Sequence, residues 1–209
     1  CLYNKDVVDF NSGLIKKIVR ILISIFTRGK CRLKSSDYLN WSTKFALKRV
    51  KKIISVSNST KKEILSHYKI KEDKISVVYN GFIDSLYKKI DNQEEIKNVL
   101  FSYGLNNPYF LYVGRIEKKK NISLLIKAFS LYKEKNKNSE EKLILVGNIG
   151  FGYDEIKYMI SEYDLFNDIV MLGWIDEKDM PYIFSGAKAF VFPSLYEGFG
   201  IPILQAMAC

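Results

Sequence analysis

The sequence predicts an α/β protein organised around parallel sheets, and three observations carry that prediction. From Ile53 onward, short β-branched and aromatic runs alternate with amphipathic stretches at helical spacing. That rhythm is the signature of βαβ units, with helices covering both faces of a parallel sheet. Runs close on glycine at Val113-Gly114 and Val146-Gly147, and the carboxyl ends of parallel strands are where open sheets bind ligands. With 209 residues at 47% hydrophobic composition, the chain can bury a real core as one large domain or two small ones, which sets disorder aside.

In order, strands are expected at residues 53–57, 75–79, Tyr109–Val113, 143–146, 169–172 and 189–192, mostly continuous apolar runs like those of strands buried on both faces. A helix is expected at 59–68, opening on Ser59 and Thr60 as caps, and another at 93–103, stopping at Gly104 as the glycine just past its end. Ile122–Lys135 follows with Asn121 as N-cap and with Leu124, Leu125, Ala128, Phe129 and Tyr132 on one face. Residues 153–163 and 177–185 complete the set, the last carrying Pro181 near its first turn.

Asn80-Gly81 follows a strand, but no alternating partner run comes after it, so it reads as a break between domains rather than a hairpin turn. The boundary is placed near residue 82, giving domains 1–82 and 83–209. The chain starts at Cys1 rather than Met and ends in a helical pattern, so both ends are expected to be cuts through a longer protein.

The net charge of +10, from 33 basic and 23 acidic residues, attracts anions such as phosphates, acidic lipid headgroups or nucleic acid. Cys1, Cys31 and Cys209 are odd in number and far apart, which argues against a disulfide framework or a zinc site and fits a reducing cytoplasm. No apolar stretch is long enough to cross a membrane. The apolar residues within 14–26 fall at helical spacing, interrupted by Lys16, Lys17 and Arg20. They fit either a core-facing helix or a basic interfacial helix on anionic lipid.

Two loops concentrate residues suited to binding chemistry. In Gly114-Arg115-Ile116-Glu117-Lys118-Lys119-Lys120-Asn121, glycine lets the backbone approach a ligand, Arg115 offers a planar fork for phosphate oxygens, and Lys120 adds a point charge beside a helix start. Lys118 and Lys119 read as a solvated loop. In Pro193-Ser194-Leu195-Tyr196-Glu197-Gly198-Phe199-Gly200-Ile201, the glycines expose backbone N–H groups and Glu197 can accept sugar hydroxyls, while Gln205 follows on the helix as acceptor and donor. Gly147-Asn148-Ile149-Gly150-Phe151-Gly152 lacks G-x-G-x-x-G spacing, which counts against a nicotinamide oxidoreductase. No basic stripe interleaves with aromatics, which sets nucleic acid aside.

Tyr196-Glu197-Gly198-Phe199-Gly200, with Gln205 eight positions after Glu197, resembles the E-x7-E signature of glycosyltransferase family 4, with Gln in place of the second Glu. Phe110-Leu111-Tyr112-Val113-Gly114-Arg115, Lys120-Asn121, Val146-Gly147-Asn148, Ser55-Val56-Ser57-Asn58-Ser59-Thr60-Lys61 and Ile75-Ser76-Val77-Val78-Tyr79-Asn80-Gly81 are similar to the same family, in order. The resemblance spans roughly residues 45–209.

It implies a GT-B fold of two Rossmann-like parallel-sheet domains, both incomplete here. Residues 1–82 would be the later part of the acceptor-side domain and 83–209 the nucleotide-sugar-binding domain lacking its last elements. It further implies retaining, metal-independent transfer from a nucleotide-diphosphate sugar, with no cofactor. Arg115 and Lys120 would hold the diphosphate, Glu197 and the backbone of Gly198, Phe199, Gly200 and Ile201 the sugar, and Gln205 the ribose, with Gly114 and Gly147 beside the donor. The family's usual N-domain histidine would lie upstream, so His67 is expected to be an ordinary surface or packing histidine.

Tyr109–Val113 and Tyr153-Asp154-Glu155 look most like bacterial mannosyltransferases of O-antigen and other surface polysaccharides. GDP-mannose as donor, a saccharide or lipid-linked acceptor, and a cytoplasmic location with peripheral contact to anionic membrane follow as expectations. A piece cut at both ends is expected to be inactive by itself. The alternative is a catalytically inactive nucleotide-sugar-binding or scaffold module, suggested by Gln205.

Overall fold

The computed structural model describes Ile21, Ile25 and residues 35–209. The helix expected at 14–26 lies outside the described residues apart from Ile21 and Ile25, and so do Cys1 and Cys31. The chain divides into two compact units, Cys1–Asn80 and Gly81–Cys209.

In the first unit, helix α1 (Ser35–Arg49) was not expected from the sequence. Among its described residues, Leu39 and Phe45 are exposed. The helix carries a surface ladder at i, i+4 spacing: Trp41 and Phe45 have ring centroids 5.5 Å apart, and the Arg49 guanidinium lies 3.5 Å over the Phe45 ring. Strands β1 (Ile53–Ser55) and β2 (Ile75–Val77) pair in parallel, with Ile53 opposite Ile75 and Ser55 opposite Val77. Helix α2 (Asn58–His67) connects them.

Both strands are shorter than expected, and the cap of α2 is Ser57 rather than Ser59 or Thr60. The Ser57 hydroxyl accepts from Thr60 N–H at 3.0 Å, and Ser55 Oγ donates to Ser57 O at 2.8 Å, so the chain turns immediately after β1. His67 Nδ1 lies 2.9 Å from Glu63 O on its own helix.

The second unit holds α3 (Gln93–Ser102), β3 (Tyr109–Val113), α4 (Ile122–Lys135), β4 (Lys142–Val146), α5 (Tyr153–Glu162), β5 (Ile169–Gly173), α6 (Met180–Ser185), β6 (Ala189–Phe190) and α7 (Ile201–Ala208). Its sheet runs β5-β4-β3-β6 with every pair parallel. Because side chains alternate along a strand, β3 and β4 feed two separate cores. Tyr109, Leu111, Ile144 and Val146 pack with α3 and α6, whereas Tyr112, Leu143 and Leu145 pack with α4 and α5. Helix α3 ends as expected at Gly104 (φ 71°), where Leu105 N–H donates to Leu100 O and Gly104 N–H to Phe101 O, both at 2.9 Å.

Three expectations need correction. The buried face of α4 is Ile122, Leu125, Ile126 and Phe129, while Leu124 is 54% exposed and Ala128 also faces outward. Ile126 takes the inner position because the stripe starts at Ile122, one turn earlier. Helix α6 begins at Met180 rather than 177, since the preceding residues form turns from Asp179 N–H to Asp176 O and from Met180 N–H to Glu177 O. Strand β6 ends at Phe190, two residues early.

At the amino edge of this sheet, Glu141 pairs with Lys188 and accepts from Ser139 Oγ at 2.6 Å. The Lys188 hydrogen bond, aided by Ser139, holds the Glu141 carboxyl down to about 2. A depressed carboxylate contributes stability that is complete above its unfolded pKa of about 4.3 and is lost as pH falls toward the folded value. The urea midpoint is therefore expected to fall between about pH 4.5 and 2 less steeply in Glu141→Gln than in the parent. Parallel curves would remove Glu141 from the acid sensitivity.

Candidate functional site

Strands β3, β4 and β5 each run into a glycine with positive φ: Gly114 at 149°, Gly147 at 133° and Gly173 at 69°. The need is clearest at Gly147, where a Cβ would come within 2.2 Å of the Gly114 carbonyl oxygen. A Cβ on Gly114 would itself approach the Tyr112 hydroxyl to 2.8 Å. The ladder continues into these glycines, Gly114 N–H donating to Val146 O at 2.9 Å and Gly147 N–H to Gly173 O at 2.7 Å. Bare backbone thus forms the wall of a cavity of about 480 Å³ at the carboxyl ends of the strands.

Gly114, Arg115, Gly147 and Asn148 line that cavity from the ends of β3 and β4, and Gln205 reaches it from α7. The loops after β3 and β4 are zipped together, with Ile116 N–H donating to Asn148 O at 2.9 Å, Gly150 N–H to Ile116 O at 2.8 Å and Lys118 N–H to Phe151 O at 2.9 Å. Arg115 stands on this braced platform with its side chain 64% exposed and Nε 3.8 Å from Glu117 Oε2, beyond hydrogen-bond range. Lys118 pairs with Glu155 at 3.3 Å on the surface, and Lys119 with the largely covered Glu117 at 3.1 Å.

Lys120 turns the other way. Its Nζ contacts Glu197 Oε1 at 2.5 Å, and both side chains are largely covered, at 17% and 25% exposure. Beside this pair, Asn121 Nδ2 donates to Pro193 O at 3.2 Å. Two loops more than 70 residues apart are therefore tied by one ion pair and one hydrogen bond. Asn121 is the N-cap residue of α4, as expected, but makes no side-chain capping hydrogen bond. It adopts a left-handed backbone (φ 58°), which Asn tolerates, and spends its amide on the facing loop. The Ser194 Oγ in that loop is buried without a hydrogen-bond partner among the described residues, and Gly200 (φ 93°) turns the chain into α7.

The loop after β5 contributes Trp174 and Glu177 to the cavity, with Tyr87 beneath. Tyr87 is only 4% exposed; burial first, and the Glu177 charge second, push its phenol up to about 12, so it stays protonated. Tyr112 is likewise pushed up, by burial and then by the charges of Glu197 and Glu117, and it donates to Arg115 O at 3.1 Å.

Of the residues singled out in the sequence, Gly114, Arg115, Gly147 and Gln205 share the cavity wall. Lys120 and Glu197 meet each other outside that wall, with Gly198, Phe199, Gly200 and Ile201 following on their loop. Tyr87, Trp174 and Glu177 were missed. The available signal was positional: Gly173-Trp174 follows a strand as Gly114-Arg115 does. Among the described residues no His, Cys, Asp or Glu cluster could hold a metal ion, and no helix is long and apolar enough to cross a membrane.

The sequence matches the family described as glycosyl transferases group 1 over residues 92–209, and the one described as glycosyltransferase family 4 over residues 13–85. It is 32% identical over 189 residues to the O-antigen chain mannosyltransferase B of Escherichia coli, covering 90% of this chain and 49% of that protein. An O-antigen chain mannosyltransferase of Salmonella typhimurium is 29% identical over 171 residues, covering 82% of this chain and 43% of that protein. Among solved structures, Anabaena HepE in complex with UDP and glucose superposes with a TM-score of 0.70 at 24% identity, over 82% of this chain and 46% of that one. The chain spans about half the length of the curated relatives it matches.

Proposed function

The chain belongs to the group 1 glycosyl transferases and has a GT-B type α/β fold; from that premise we propose that the whole protein transfers a sugar, with retention, from a nucleotide-diphosphate sugar to a saccharide or lipid-linked acceptor in surface polysaccharide synthesis. The observation that carries this reading is the cavity at the carboxyl ends of β3, β4 and β5, where glycine backbone, Arg115 and Gln205 converge beside the Lys120–Glu197 pair. Arg115 and Lys120 neutralise the diphosphate, Glu197 and the backbone from Gly198 to Ile201 hold the sugar, and the Gln205 amide oxygen accepts a ribose hydroxyl.

Transfer forms a bond between the acceptor oxygen and the sugar's anomeric carbon on the face the diphosphate leaves. The bond to the phosphate oxygen breaks with its electron pair, and the acceptor proton passes to that oxygen. Side-chain cations stabilise the leaving charge, so the chemistry requires neither a metal nor a separate general base. The names of the two relatives favour mannose as the sugar transferred, and GDP-mannose is the donor of this reading. The net charge of +10 favours work at the inner face of the cytoplasmic membrane, in peripheral contact with anionic lipid.

Calorimetric titration of the chain with GDP, UDP and ADP in the presence of a chelator tests the reading. Saturable binding of one nucleotide is expected, and its failure with all three would favour an inactive scaffold. Arg115→Ala is expected to weaken that binding by roughly 1.5–3 kcal/mol, the range for hydrogen bonds to charged groups. Unchanged affinity would take Arg115 out of the site.

A further inference from the structure

We propose that Tyr112 is a positioning residue of the nucleotide site, its buried hydroxyl fixing the turn from which Arg115 reaches the diphosphate. This rests on the nucleotide-binding reading above and names what aims the guanidinium.

Arg115 needs such a support. Its side chain is 64% exposed, and Glu117 Oε2 lies 3.8 Å from its Nε, beyond hydrogen-bond range. The chain enters Arg115 through Gly114 at a φ of 149°, a glycine conformation, so no side chain at position 114 braces the turn. A long side chain amplifies any rotation of the peptide beneath it, and a displacement of about 1 Å is enough to spoil a charge clamp. Ladder bonds at Gly114 N–H and Ile116 N–H hold the residues on either side. Arg115 itself is gripped at its carbonyl, by the Tyr112 hydroxyl at 3.1 Å.

Strand geometry puts the hydroxyl there. Side chains two positions apart share a face, so the phenol lies along β3 beneath Gly114, its oxygen 2.8 Å from where a Gly114 Cβ would stand. The ring is fully buried against α4 and α5, which denies it another rotamer, and its hydroxyl would carry a desolvation cost without a partner. Burial, and then the charges of Glu197 and Glu117, keep the phenol protonated, so it donates and the Arg115 carbonyl accepts. Those two carboxylates are the ones that accompany Lys120 and Arg115.

Tyr109, on the opposite face of the same strand, shows the ordinary use of a buried phenol. Its hydroxyl donates to Ile183 O at 2.7 Å and ties β3 to α6. Tyr112 gives its bond three residues along its own chain, to the residue that carries the cation.

Titrations of the chain with GDP, UDP and ADP test the assignment. Tyr112→Phe keeps the ring in the core and removes only the hydroxyl. It is expected to weaken binding of whichever diphosphate the parent takes by about fivefold, the worth of one hydrogen bond. On an Arg115→Ala background the same substitution should cost no further affinity. Tyr109→Phe loses a comparable buried bond, and is expected to lower the urea midpoint while leaving affinity at the parental value. Affinity unmoved by Tyr112→Phe, an equal loss with and without Arg115, or an equal loss in Tyr109→Phe would each overturn the assignment while leaving the nucleotide site standing. Binding of none of the three nucleotides by the parent would overturn both.

Discussion

Gly147→Ala is expected to destabilise the second unit by about 2–6 kcal/mol and to abolish nucleotide binding. The added Cβ would lie 2.2 Å from the Gly114 carbonyl oxygen and 2.7 Å from its carbon, so the obstruction is backbone and has no rotamer to escape into. Overpacking of this kind costs about 1–3 kcal/mol. A φ of 133° in a residue with a Cβ adds about 1–3 kcal/mol more. A lowering of the thermal midpoint on the order of 10 °C follows.

Relief requires β3 and β4 to separate at the end that lines the cavity, so nucleotide affinity should vanish even well below the midpoint. Gly81→Ala is the control: nothing lies within 4 Å of its Cβ position, and it should behave like the parent. A Gly147→Ala protein with parental midpoint and affinity would mean that the two strand ends do not approach as described.

The same close packing explains what the sequence could announce. The strands at 109–113 and 142–146 were legible because residues buried on both faces leave an unbroken apolar run, and glycines after them marked the carboxyl edge. Helix α1 was illegible because its described aromatic residues meet in a surface ladder of Trp41, Phe45 and Arg49, not a periodic apolar stripe. Asn121 was legible as the N-cap of α4, but not its left-handed backbone or the hydrogen bond its amide gives to the facing Pro193 carbonyl.

Within the site, the two motif-bearing loops stood out because glycine, Arg115 and Glu197 have recognisable chemistry at recognisable spacing. The loop after β5 carries no such pattern, and Trp174 gains its meaning only from a neighbouring strand order that no single segment encodes. Nor could the sequence say that Lys120 and Glu197, assigned to different parts of a ligand, would first satisfy each other across 77 residues.

That pairing sets the second large effect. Lys120→Met is expected to weaken nucleotide-diphosphate binding on the order of 100-fold, more than the loss of one charge-assisted contact would explain. The substitution removes a cation and also leaves Glu197, with a side chain only 25% exposed, without its partner beside the diphosphate. A carboxylate so placed repels the ligand and carries an unmet desolvation cost. Glu197→Gln added to Lys120→Met should therefore recover about tenfold of the loss, giving a coupling of about 1.4 kcal/mol in a double-mutant cycle. The recovery should be confined to nucleotide binding, because the sugar contact assigned to Glu197 is weakened in both Gln variants, and transfer by the whole protein should stay impaired. Additive losses in binding would mean that Lys120 and Glu197 act on the ligand independently, with their 2.5 Å contact no part of how the site handles charge.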